Sequence, residues 1–192
     1  MQLQHVNVKL LVRNPGQVDL EPLIPVFHNW IQEQPFAEML LDVADYRHVH
    51  EGPGIMVIGH QGNYSVDNTD GRLGVLYNRK AALDGENGDR LRQAARAALL
   101  ACQKLEGDDR LGGKLQFNGH DLEIMVNDRL LAPNSESTRI ACQDDIDRFL
   151  TQLFGDANYS KNYGNDPRSR FRVSVKAVRS FSVGDLLANL KS

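Results

Sequence analysis

The alternation of apolar and polar residues divides this chain into strands and helices. Val6, Val8, Leu10 and Val12 fall on one side of a two-residue repeat and His5, Asn7 and Lys9 on the other, which predicts a half-buried strand over 4–13. Asn14-Pro15-Gly16 ends it. Beyond Asp19, a residue suited to cap a helix, Leu20, Leu23, Ile24, Phe27 and Ile31 recur at helical spacing. Pro22 suits a first turn, Pro25 is expected to kink or delay the start, and Pro35 stops the helix. Trp30 is one residue off the apolar stripe and is expected in a half-buried packing role, with a rim or partner surface as the alternative.

Short strand-like runs follow over 39–44, 55–58 and 63–66, the last continuing its predecessor past a bulge at Gly62. Asn68-Thr69-Asp70-Gly71 reads as a hairpin turn, with 72–79 as the returning strand. The clearest helix begins at Asp89, carries Leu91, Ala95, Ala98, Cys102 and Leu105 on one side, and ends at Gly107. Asn118-Gly119 between 114–117 and 121–126 predicts a second hairpin. A helix over 135–154, a flexible loop over 155–169, a strand over 171–177 and a short helix over 183–190 complete the pattern. These elements predict a single α+β domain spanning 1–192: a mostly antiparallel sheet of six or seven strands, with three main helices largely on one face. Arg13, Arg79, Arg129 and Arg179 each follow a strand that leads through a loop into a helix. This suggests an internal β-loop-α repetition with the four arginines along one sheet edge.

Composition narrows the class. With 192 residues, 41% apolar and 24% charged, the chain is long enough for one ordinary core without metal or disulfide staples. A net charge of -3 argues against a dedicated nucleic-acid binder. There is no apolar run long enough for a membrane span, and the alternating N-terminus lacks the basic start of a signal peptide. Cys102 and Cys142 fall on apolar faces of predicted helices and read as free thiols. A cytoplasmic protein is expected.

Candidate chemistry concentrates in DYRHVHEGPGIMVIGHQGNYSVDN, residues 45–68, which holds three of the six histidines. His48 and His50 share one face of an extended segment, with Glu51 and Asp45 close by, and a hairpin could return His60 beside them. Such a set suits a divalent transition metal that activates water for hydrolysis. Without metal, a histidine could act as general acid–base near neutral pH, oriented by Asp45 or Asp42. The competing reading is that these are turn residues bonded to backbone. The glycines match no phosphate-loop pattern and suit turns and bulges.

A second polar stretch follows the strand ending at Val126. There Asp128 and Arg129, with Asn134 and the amides after it, could bind a polar ligand, with Arg79 a further ligand-binding candidate. The last strand is basic, with Arg168, Arg170, Arg172, Lys176 and Arg179 around Phe171. It suits an acidic partner or RNA, or a charged edge strand that resists aggregation.

Two functions are therefore expected. The first is a binding or assembly protein, open to forming an oligomer, that uses a sheet edge and the polar loops 45–53 and 127–135 to hold a small molecule or a protein partner. The second is an enzyme centred on His48, His50 and His60.

Overall fold

A computed structural model describes residues 1–191. It is an α+β structure with one sheet of eight antiparallel strands: β1 Val6–Val12, β2 Leu40–Tyr46, β3 Gly54–Gly59, β4 Gly62–Asp67, β5 Gly74–Arg79, β6 Phe117–Val126, β7 Tyr159–Tyr163 and β8 Phe171–Ala177. Their order across the sheet is β2-β3-β4-β5-β1-β6-β8-β7. Four helices accompany them: α1 Leu23–Glu33, α2 Asn87–Glu106, α3 Glu136–Phe154 and α4 Val183–Asn189.

The alternation seen in the sequence sorts the two faces. Val8, Leu10, Tyr64, Val66, Val75, Tyr77, Ile124 and Val173 point into one apolar core with the buried sides of the helices. On that face α2 packs on β1 and β5, α1 on β2 and β3, α4 on β6, and α3 on α2 and α4. Trp30 is not at a rim. It is 3% exposed and joins an aromatic cluster, 4.9 Å from the Phe27 ring and 5.0 Å from Phe36, with Phe36 stacked on Tyr64. α1 starts only at Leu23, beyond Leu20, which places Pro25 in the first turn, where no intrahelical N–H partner is lost. In α2, Glu86 and Asp89 form a reciprocal capping box.

Three expectations are corrected. Asn118-Gly119 is not a turn: β6 runs unbroken through it. Glycine is required there because a Cβ would stand 2.2 Å from the Phe181 carbonyl oxygen, so the signal is for close backbone approach. The 155–169 segment contains β7, whose Tyr159, Lys161 and Tyr163 alternate as half-buried residues against β8. It follows that basic β8 is not an edge strand; β7 is.

Four strands do lead into helices, but the arginines do not line one edge. β1 is antiparallel to both β5 and β6, and β6 to β8. The C-terminal ends of β1 and β8, with Arg13 and Arg179, therefore lie opposite those of β5 and β6, with Arg79 and Arg129.

The contact at Gly119 sets a test. Gly119→Val should cost about 2 kcal/mol or more in urea unfolding, because neither carbonyl nor strand can move away cheaply. Gly16→Val, where no atom lies within 4 Å, should change stability by less than about 0.5 kcal/mol.

Candidate functional site

The sheet face opposite the helices carries the polar half of each strand. Two cross-strand rows organise it. One runs Asn63, Asn78, Asn7, Met125, Arg172; the next runs Ser65, Leu76, Lys9, Glu123, Ser174. Lys9 stands near the middle, and it is only 2% exposed. Its Nζ reaches Asp67 at 2.5 Å. The stem crosses over Gly74, where a Cβ would lie 3.1 Å from Lys9 Cε and 2.4 Å from the Leu10 carbonyl oxygen. A side chain at 74 would therefore block both the ladder and the ion pair.

Asp67 is held from the other side by the Thr69 amide at 3.2 Å and the Thr69 hydroxyl at 2.9 Å. Glu123 is also buried, and one of its oxygens accepts from Arg72 and from the Ser174 hydroxyl at 3.2 Å. Arg72 extends to Asp121 at 3.3 Å, and Arg172 bonds Asp70 at 2.6 Å. The Arg172 guanidinium beside Asp70 holds that carboxyl below the usual carboxylate range. The 68–72 turn and these guanidiniums thus fold back over the charged centre of the face.

A cavity of about 190 Å³ opens on this surface, with Lys9, Ser65, Asp67, Asn78, Glu123 and Arg172 among its lining. Three polar atoms on the row beside Lys9 have no hydrogen-bond partner and are buried: both side-chain polar atoms of Asn7, and Asn78 Oδ1. Buried polar groups are nearly always paired, so this cluster stands out. The cavity adjoins a groove of about 480 Å³ lined by Asn127, Arg129, Arg168 and Ser169; Thr69, Asp70, Arg170 and Arg172 border both.

The residues singled out from the sequence are distributed differently. His48, His50 and Glu51 are exposed in the β2–β3 turn, whereas His60 is exposed in the β3–β4 turn. Six residues of β3 separate these turns, about 20 Å at strand rise. The three imidazoles are not brought together. Among the described residues no group of three or more His, Cys, Asp or Glu is placed to hold a metal ion.

Asp45 does not orient a histidine. Its carboxylate takes a two-pronged bond from Arg47, with Nε at 3.0 Å and Nη2 at 2.7 Å, which lowers its pKa to about 2. Arg79 turns to the helix side, bonded to the Ala81 carbonyl and paired with Glu38 in a buried cluster with Tyr77 and Gln93. Asn134 uses its amide to hold the carbonyls of Gly164 and Asp166, and Asp128 caps the amides of Leu130 and Leu131. Of the ligand-binding candidates only Arg129 lines the groove.

Sequence reasoning grouped Asn7 and Lys9 on one face but read that face as solvated. The missed signal was a lysine at the centre of a strand whose only other polar residue is Asn7, which is an expensive place for a charge without a partner.

Two measurements follow. Asp67→Asn should cost about 3–5 kcal/mol by stranding the Lys9 ammonium, and adding Lys9→Met should restore most of it. If the single variant loses no more than the double, Lys9 is not held by that charge. The carboxyl of Asp45 should titrate by NMR near 2. Its folded-state pKa is depressed, so its ion pair contributes above the ordinary carboxylate range and is lost as pH falls through that midpoint. A midpoint near 4 would contradict the pairing.

Comparison with protein-family models, with curated proteins and with solved structures finds no match.

Proposed function

We propose that this chain is a small-ligand-binding protein and that its ligand lies on the open face of the sheet, over Asn78, Lys9 and Ser65. The observation that carries the reading is the pairing of a cavity with buried polar atoms that lack partners on the same face. A ligand with donors and acceptors of its own would supply what Asn78 Oδ1 lacks.

Size fits when the two openings are taken together. A cavity of about 190 Å³ is smaller than the roughly 300–1,000 Å³ that holds most small ligands, but it adjoins the groove, with four residues bordering both. The floor mixes apolar and polar groups, as such sites do: Met56, Leu76 and Met125 beside Asn63, Ser65 and Asn78. Strands carry these groups, and a sheet holds side chains more rigidly than a loop. The alternative of histidine-centred catalysis needs His48, His50 and His60 in one place, and His60 stands in a different turn from the other two.

The test is a ligand-detected NMR screen of a mixed panel of small polar metabolites against the full chain and against Met56→Trp. The larger side chain fills the cavity without removing a hydrogen bond. Panel members should bind the native chain and lose about tenfold or more in affinity in the folded variant, as expected when contact with the cavity is blocked. Binding that is indifferent to Met56→Trp would place the ligand elsewhere and overturn the reading.

A further inference from the structure

The groove beside the cavity has a charge that the chain as a whole does not share. The net charge is -3, yet Arg129, Arg168, Arg170 and Arg172 line the groove with a single carboxylate, Asp70. Asp70 is taken by Arg172, and Arg168 pairs with Asp166 at 3.3 Å. Among the described residues neither Arg129 nor Arg170 has a carboxylate partner. Arg129 donates to the Arg168 carbonyl at 2.8 Å, and Arg170 reaches Asn127 Oδ1 at 3.5 Å. Two guanidiniums therefore face the groove without an ion pair of their own. A guanidinium fork matches the paired oxygens of a carboxylate or phosphate.

The cavity end differs. Its charges are already matched: Lys9 with Asp67, and Glu123 with Arg72. A further full charge there would have to break those pairs in a poorly hydrated place. What remains is neutral: the Asn78 amide, the Ser65 hydroxyl, the Asn63 amide, whose oxygen already accepts from the Gly59 N–H at 3.3 Å, and the apolar surface of Met56, Leu76 and Met125. Arg170 and Arg172 stand on the border between the two environments.

We propose that the ligand is a small organic anion. Its neutral, hydrogen-bonding body lies over Asn63, Ser65 and Asn78, and its carboxylate or phosphate lies between Arg129, Arg170 and Arg172. This assignment rests on the ligand-binding reading above and gives it a chemical class and an orientation.

The experiment follows the arginine Nε–Hε signals of the ¹⁵N-labelled full chain at constant ionic strength. Inorganic phosphate is titrated in one arm and succinate in another, with potassium chloride as the reference for screening. At least one anion should shift the Arg129, Arg170 and Arg172 signals saturably and beyond the chloride reference. The arm that saturates at lower concentration distinguishes a phosphorylated from a carboxylated ligand. Arg170→Gln should weaken that binding about tenfold. Exposed Arg129→Gln should weaken it too, and serves if the first variant does not fold.

Shifts no larger than those in chloride in both arms would overturn the proposal. If panel compounds still bind in the Met56-sensitive way, the ligand reading survives and only the anionic class falls. Anion shifts at the arginines that persist in Met56→Trp are expected, because that variant fills the cavity and leaves the groove. Anion binding abolished by Met56→Trp would put the charge in the cavity and overturn the orientation.

Discussion

A buried lysine is the constraint from which the open face of this sheet is built. The Lys9 ammonium cannot lie near the middle of an eight-stranded sheet without an opposite charge, because desolvation alone costs several kcal/mol. Asp67 supplies it, but from two strands away, with β5 between them. The stem must therefore cross β5, and Gly74, having no side chain, leaves room on its path. Thr69 then fixes Asp67, and the turn that carries Thr69 also carries Asp70, the partner of Arg172. One buried charge thus organises a turn, a glycine and a cation on a distant strand.

The two faces of the sheet divide the work. The helical face is an ordinary apolar core, and its aromatic cluster around Trp30 and Tyr64 anchors α1 against β3 and β4. Its buried polar group, Glu38 with Tyr77 and Gln93, sits where α2 meets β5; burial raises the pKa of the Tyr77 hydroxyl, so it remains a donor at neutral pH. The cysteines belong to this side as well. Burial pushes the Cys142 thiol up to about 11 and raises that of Cys102, which suits packing and not reactivity. The open face keeps its charged groups paired at the centre and leaves charge over only toward the β6–α3 and β7–β8 loops. That gradient, from matched to unmatched charge, gives the face a direction.

Much of the fold was legible in the sequence because most strands turn apolar residues to one face and polar residues to the other. The alternation of Val6, Val8 and Leu10, and that of Phe171, Val173 and Val175, identifies strands with their inward sides. The capping residues around α2, α3 and α4 locate helix starts to within about two residues. Two features were hidden because they depend on distant contacts. Gly119 looks like a turn residue, but the backbone at Phe181 is what requires it. Edge strand β7 has too few apolar residues to announce itself.

The candidate site was less legible for the same reason. Histidines clustered in sequence lie in different turns, whereas Lys9, Asp67 and Glu123 are far apart in sequence and meet through strand order. Strand order is not written in local pattern. Arg129, Arg170 and Arg172 were visible as basic residues, but their convergence depends on β8 pairing with β6.

The most direct measurement is a crystal structure of the full chain soaked with the tightest-binding small organic anion. The account predicts electron density on the open sheet face. The body of the molecule should hydrogen-bond to Asn78 and its charged end should meet Arg170. Density on the helical side, at the β2–β3 turn or along the β7 edge, with the Asn78 surface unchanged, would contradict it.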